Sequence, residues 1–218
     1  MNNPKLQLAL DTESIEKAML VAAELHDYWD ILEIGTVLLL QEGLSCVGVF
    51  RNQFPDAVIM VDTKIIDSGK LLAESAYRAG ADIISVVSAA SDHTILACIE
   101  TANMFGKRLI VDHLSADWID ADLIRKCKLG ANIIGLHIPK DIQGNTSFRK
   151  EAIIAVREQV NMEVCIAGGI TPEKIKELNG IPIDIFVVGG YLLDADNRDE
   201  NGLKIRQSFD VNMKPRRS

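Results

Sequence analysis

Eight times along this chain an apolar run ends and a helical pattern takes over. The run ends fall at Asp11, Gly35, Asp62, Val87, Asp112, His137, Ala167 and Val188, separated by 21 to 30 residues. A spacing of that length leaves room for a crossover helix after each strand, so the strands should run parallel. Eight βα units in 218 residues predict an α/β chain folded as one (β/α)8 barrel, a TIM barrel spanning 1–218, with 211–218 as a flexible tail. A doubly wound open sheet is the competing topology.

Local signals support the helices. Thr12-Glu13-Ser14 can cap a helix whose apolar positions Ile15, Ala18, Met19, Ala22 and Leu25 keep helical spacing. Val37 to Phe50 has helical character, Gly69–Ala79 should stop at Gly80, and Asp92 opens a helix running to about Met104. Asp117 to Lys128 should close at Gly130, Phe148 to Gln159 follows, and Thr171-Pro172 starts another with proline in its first turn. A terminal helix should occupy part of Glu200–Asp210.

Charge and cysteine usage narrow the function. A net charge of −8 argues against nucleic acid or an anionic membrane surface as the partner. The apolar runs are too short to span a bilayer. Cys46, Cys98, Cys127 and Cys165 form no C-x-x-C pair, and Met1–Leu10 has no signal-peptide pattern. The expectation is a cytoplasmic protein with reduced, buried thiols.

In such a barrel, chemistry sits at the C-terminal ends of the strands. Asp11, Glu33, Asp62, Lys64, Asp112 and His137 would all lie near that rim. Strand periodicity sends Asp62 and Lys64 to the same side, and Asp67 falls where the chain turns into a helix. D-x-K-x-x-D after a buried strand is costly unless its charges pair or bind something, the plain alternative being a solvated ion pair. Glu33 and Asp62, from adjacent strands, could share Mg²⁺, which needs few protein ligands; otherwise each caps a loop or helix. Lys64, between two acids, should stay protonated and suits stabilisation of developing negative charge better than Schiff-base formation. A histidine at 137 could move a proton or could serve as a structural hydrogen-bonding group. Ala167-Gly168-Gly169-Ile170-Thr171 and Val188-Gly189-Gly190 form the last two βα turns, the recurring phosphate site of this barrel or else ordinary tight turns.

Taken together, L-x-L-A-L-D at Asp11, E-I-G-T at Glu33, D-x-K-x-x-D at Asp62/Lys64/Asp67, V-D at Asp112, H-x-x-x-D-x-Q at His137/Asp141/Gln143, A-G-G-I at Gly168 and V-G-G at Gly189 resemble the orotidine 5′-monophosphate decarboxylase superfamily. Within it the chain looks like the 3-hexulose-6-phosphate synthase and 3-keto-L-gulonate-6-phosphate decarboxylase groups, over nearly its whole length. That resemblance implies a homodimer with shared active sites and Mg²⁺ on Glu33 and Asp62. It implies that Lys64 stabilises a 1,2-enediolate, that Asp67 reaches in from the partner subunit, and that His137 handles a proton. Asp112 joins the catalytic set. Phosphate would rest on Gly168, Gly169, Gly189 and Gly190, with Asp11 and Lys140 also holding substrate. Asp112 and Gly190 look synthase-like, whereas Asp67-Ser68-Gly69-Lys70 looks decarboxylase-like. His137-Ile138-Pro139-Lys140-Asp141 matches neither pattern, and Lys140 offers a charge but no bidentate fork. The expected activity is a Mg²⁺-dependent carbon–carbon lyase of the synthase type, joining D-ribulose 5-phosphate and formaldehyde. Decarboxylation of 3-keto-L-gulonate 6-phosphate is the alternative, and a non-catalytic sugar-phosphate-binding barrel a second. Orotidine 5′-monophosphate decarboxylase itself is disfavoured because its D-x-K-x-x-D-I-x-x-T context is missing.

Overall fold

The computed structural model describes residues 4–115, 121–145 and 148–212. Its strands are β1 (Lys5–Leu10), β2 (Ile31–Ile34), β3 (Val58–Ile65), β4 (Ile83–Val87), β5 (Arg108–Leu114), β6 (Ile133–His137), β7 (Glu163–Ala167) and β8 (Ile185–Val188). They pair in chain order, all parallel, and β8 returns to β1 to close a barrel. The (β/α)8 expectation holds, and the open doubly wound sheet is excluded by the β1–β8 pairing.

The helices follow the strands outside the barrel: α1 (Ile15–Glu24), α2 (Thr36–Glu42), α3 (Ser45–Gln53), α4 (Gly69–Ala79), α5 (Asp92–Phe105), α6 (Ala121–Cys127), α7 (Lys150–Gln159), α8 (Pro172–Glu177), α9 (Gly190–Leu193) and α10 (Arg198–Asn212). Capping residues work as their types dictate. The Ser14 hydroxyl accepts from the Lys17 N–H at 3.3 Å, and Thr171 accepts from Lys174 N–H at 3.3 Å with Pro172 in the first turn. Gly80 ends α4 in the left-handed region at φ 117°.

Two expectations change, and a third falls partly outside the described residues. The helical stretch 37–50 is two helices, broken where Gly43 takes φ 69°. The helix expected from Asp117 begins, among the described residues, at Ala121; residues 116–120 lie outside them. Of the tail placed at 211–218, residues 211 and 212 belong to α10 and 213–218 lie outside the described residues. The four cysteines are unpaired and buried. Among the described residues no helix is long and apolar enough to cross a membrane.

The barrel interior is packed rather than open. Ile31, Ile83, Ile133 and Ile185, one from each even-numbered strand, fill it together with Met60, Ile110, Cys165 and Val187. Between sheet and helices lies a second apolar shell that includes Leu8, Leu32, Ile34, Phe50 and Phe186. The alternation of the strands therefore sends their last inward side chains onto a plug of isoleucine, where water is scarce. Those side chains are polar.

Candidate active site

Residues from neighbouring strands meet at the C-terminal mouth. Glu33 on β2, Asp62 on β3 and Asp112 on β5 are 7%, 8% and 6% exposed, a degree of burial that carboxylates accept only with partners. The Lys64 ammonium supplies one. It lies 2.5 Å from Asp62 Oδ2 and 3.3 Å from Asp112 Oδ2. His137 Nδ1 approaches the same Asp112 oxygen at 3.6 Å, just beyond hydrogen-bond distance. Asp62, Lys64, Asp112 and His137 thus form one continuous polar chain across β3, β5 and β6.

Burial alone would lower the lysine's pKa, but Asp62 and Asp112 outweigh it and raise it above the ordinary value, so Lys64 is a fixed cation. Burial likewise pushes Asp112 upward, yet His137 and Lys64 reverse this and hold its carboxyl below its ordinary range. Among the described residues no cation bonds directly to Glu33, and Lys64 eases it only weakly. Burial first, then repulsion from Asp62, moves it up to about 8, the Gln7 amide donating to Glu33 Oε2 at 2.7 Å giving only partial relief. Asp11 stands at the rim, and its pKa is also raised, by desolvation and then by Asp62, with the Val37 N–H, Lys64 and, least, Lys140 pulling the other way. The bare backbone at Gly35 leaves room for this carboxylate, because a Cβ would come within 2.2 Å of Asp11 Oδ1 and push it aside.

The strand around Lys64 is not regular. Val61 pairs with Ile84 and Ile65 with Val86, so Asp62, Thr63 and Lys64 together face the single residue Ser85 of β4. Lys64 takes φ 42°, uncommon for a residue with a side chain. Asp62 and Lys64 do meet, as expected, but through this bulge and not through a two-residue pleat.

Sequence reasoning overlooked Gln7, Thr36 and Ser85. Thr36 Oγ1 donates toward Asp62 Oδ2 at 2.8 Å, and Ser85 Oγ donates to Asp62 Oδ1 at 2.7 Å. Two of them left a faint signal: Gln7 and Ser85 are neutral polar residues within otherwise apolar stretches of strand, at positions whose parity faces inward.

Other predicted residues stand apart from the cluster. Asp67 is exposed, accepts the Ser68 N–H at 2.7 Å, and makes no ion pair among the described residues. Lys140 is exposed in the 3-10 turn Lys140–Asn145. Gly168 and Gly169 take φ 107° and 67° after β7, and a Cβ on Gly168 would sit 2.3 Å from the Ile138 carbonyl oxygen. Gly189 and Gly190 open α9 directly after β8. A cavity of ≈ 560 Å³ lies at the opposite end of the barrel, but its Arg108 and Arg157 already pair with Glu163 at 2.6 Å and Asp184 at 2.8 Å.

The donor set suits Mg²⁺. Among the described residues no group of three or more His, Cys, Asp or Glu side chains could hold a metal. Mg²⁺, however, uses one or two carboxylates and completes its shell with water and substrate oxygens. Glu33 and Asp62 are two buried carboxylates whose repulsion a divalent cation would relieve, and Gln7 Oε1 beside them is buried without a partner.

Comparison with known proteins gives a consistent result. Residues 4–205 match the model of the orotidine 5′-phosphate decarboxylase / HUMPS family. A 3-hexulose-6-phosphate synthase from Staphylococcus epidermidis is 31% identical over 207 residues, 94% of this chain and 99% of that protein. The crystal structure of 3-hexulose-6-phosphate synthase from Salmonella typhimurium superposes with a TM-score of 0.88 at 27% identity, covering 95% of this chain and 99% of its own. That of 3-keto-L-gulonate-6-phosphate decarboxylase from Vibrio cholerae gives 0.85 at 28% identity, with 97% and 99% coverage.

Proposed function

The chain belongs to the orotidine 5′-phosphate decarboxylase / HUMPS family and is a carbon–carbon lyase, and from that premise we propose that it is a Mg²⁺-dependent 3-hexulose-6-phosphate synthase, condensing D-ribulose 5-phosphate with formaldehyde. The observation that carries the chemistry is the Lys64 ammonium, held between Asp62 and Asp112 with His137 behind it.

His137 takes the C1 proton of the pentulose phosphate, and the electron pair moves onto the C2 oxygen to give a 1,2-enediolate. Lys64 faces that oxygen as a preorganised cation, which is worth most where water is excluded. C1 then attacks the formaldehyde carbon as the C2 carbonyl re-forms, and the formaldehyde oxygen takes up the proton held by His137. Asp112 keeps both His137 and Lys64 in place. Glu33 and Asp62 would hold the Mg²⁺, which when bound adds Lewis-acid stabilisation of the enediolate oxygens. The phosphate would rest on the N–H groups of Gly168, Gly169, Gly189 and Gly190, with consecutive left-handed glycines at 168–169 exposing the backbone. Asp11 and Lys140 would hold the sugar hydroxyls and outer oxygens.

The protein would act as a homodimer in which Asp67 reaches the partner's site. Ile66 and Leu71, which flank Asp67, are 56% and 66% exposed, as an uncovered apolar border would be.

A second reading is decarboxylation of 3-keto-L-gulonate 6-phosphate through the same enediolate. It is favoured by the likeness to the Vibrio cholerae decarboxylase and by Ser68-Gly69-Lys70 after Asp67. Purified protein is to be incubated with Mg²⁺ and each substrate in turn. Formaldehyde consumption dependent on ribulose 5-phosphate, with no CO₂ from the keto-gulonate, is the expected outcome; the opposite pattern overturns the synthase in favour of the decarboxylase.

A further inference from the structure

Between Val61 and Ile65, β3 carries three residues where β4 carries Ser85 alone, and that serine bonds to all three. Its hydroxyl donates to Asp62 Oδ1 at 2.7 Å while accepting the Lys64 backbone N–H at 2.9 Å. Its carbonyl accepts the Thr63 hydroxyl at 2.6 Å, and its own N–H points back to Thr63 Oγ1 at 3.3 Å. Ser85 is 0% exposed, so no water can stand in for either of its hydroxyl bonds.

These bonds replace the ladder that a bulge destroys. A regular pair of strands would satisfy the Lys64 N–H from a β4 carbonyl, but in the left-handed conformation at φ 42° that partner is a side chain. A left-handed residue with a side chain persists only where its surroundings over-determine it. The Ser85 hydroxyl does so with one oxygen shared between the lysine backbone and the carboxylate that receives the same lysine's ammonium. It therefore sets the Asp62 carboxylate and the Lys64 backbone relative to one another.

We propose that Ser85, supported by Thr63, is a positioning residue for the reaction: it holds Lys64 in its bulged conformation so that the ammonium points between Asp62 and Asp112. Ser85 is fully buried and acts through Lys64. The catalytic part of the inference rests on the enediolate reading; the conformational part does not.

Ser85→Ala, Ser85→Cys and Thr63→Val, each in the full chain, test it. Crystal structures of the variants come first, since they need no substrate. In Ser85→Ala the Lys64 φ should leave the left-handed region or the Nζ–Asp112 distance should exceed 4 Å; both unchanged would overturn the proposal. If the wild type turns over ribulose 5-phosphate with formaldehyde, Ser85→Ala should lose on the order of 100-fold in kcat with KM for the pentulose phosphate within threefold, as expected for a reacting group misplaced by about 1 Å. Ser85→Cys, which keeps a weak donor and acceptor in nearly the same space, should recover part of that loss, and Thr63→Val should show a smaller loss of the same kind. Equal falls in kcat for Ala and Cys, or a rise in KM alone, would mean that Ser85 merely fills space. Should Ser85→Ala fail to fold, the structure and kinetics of Thr63→Val decide, because its unchanged Lys64 geometry and kcat would equally overturn the proposal. A wild type inactive on this substrate would refute the assigned reaction and leave the crystallographic arm standing.

Discussion

Replacing Glu33 by glutamine should stabilise the metal-free protein above neutral pH. Glu33 is buried on the isoleucine plug, faces Asp62, and has its pKa moved from an ordinary 4.5 up to about 8. A carboxyl whose folded pKa lies above its unfolded value costs nothing while both states are protonated, below about pH 4. As pH rises from there the unfolded chain loses the proton first, and stability falls until the folded state also ionises near 8. At about 1.4 kcal/mol for each tenfold change, the ceiling is ~5 kcal/mol; relaxation of neighbouring groups around a buried charge should leave about 2–3. Glutamine keeps the size and can keep the bond from the Gln7 amide, which donates to Glu33 Oε2 at 2.7 Å, but cannot ionise. Urea unfolding of both proteins in EDTA, from pH 5 to 9, gives the difference directly, because every other titrating group is common to both. The gap should be small at pH 5, widen through pH 8 and level off above it. Mg²⁺ should raise the wild-type midpoint at pH 8 and leave Glu33→Gln nearly unmoved. A gap independent of pH, or a variant less stable than wild type at pH 8, would refute the account of Glu33.

Three other outcomes follow from the same geometry. Lys64→Ala removes the cation facing the enediolate and should lower kcat by about 10²–10³-fold, some 3–4 kcal/mol, measured by initial rates on protein whose circular dichroism matches wild type. Gly35→Ala forces the Asp11 carboxylate away, since the new methyl would lie 2.2 Å from its Oδ1; KM for the sugar phosphate should rise by an order of magnitude or so with a smaller change in kcat. Asp82 accepts from Ile59 N–H at 2.9 Å and Lys107 at 2.6 Å and pairs with Arg51, and these bonds outweigh burial to hold its pKa below the ordinary 3.8. Its contribution is therefore complete above that value and is lost as pH falls through the depressed folded one. Asp82→Asn should cost about 1–2 kcal/mol in urea at pH 7, with wild type and variant converging only as the pH falls through the depressed folded pKa.

How far the sequence carries can be traced at single residues. Gly69–Ala79 with its stop at Gly80, and Glu163–Ala167, were legible to the residue because propensity, cap and burial agree there. Residues 37–50 were not, because a run of leucines overrides the helix-breaking signal of Gly43 in any pattern that counts apolar spacing. At the site, the charged residues stood out because charge at a strand end is costly. Gln7, Thr36 and Ser85 did not, being neutral and individually ordinary. Ser85 matters only because β3 bulges opposite it, and a bulge is a relation between two strands that neither strand's sequence contains.

The pKa directions divide the mouth of the barrel into two electrostatic halves. Asp112, touched by His137 and Lys64, is held low; Glu33 and Asp11, desolvated first and then repelled by Asp62, are held high. Fully ionised, Asp11, Glu33 and Asp62 on the β1–β3 side would outnumber the cation Lys64, which Asp112 on β5 also shares. An anionic intermediate is best accommodated beside Lys64, between the halves, and an added cation is best accommodated beside Glu33, where among the described residues nothing positive lies within hydrogen-bond reach. Lys64 cannot serve both needs, because its ammonium is already shared between Asp62 and Asp112. The surplus on the Glu33 side therefore has to be met by a proton or by a metal ion. Chelation and Glu33→Gln should for that reason act on the same pH-dependent part of the stability, and their effects should fail to add.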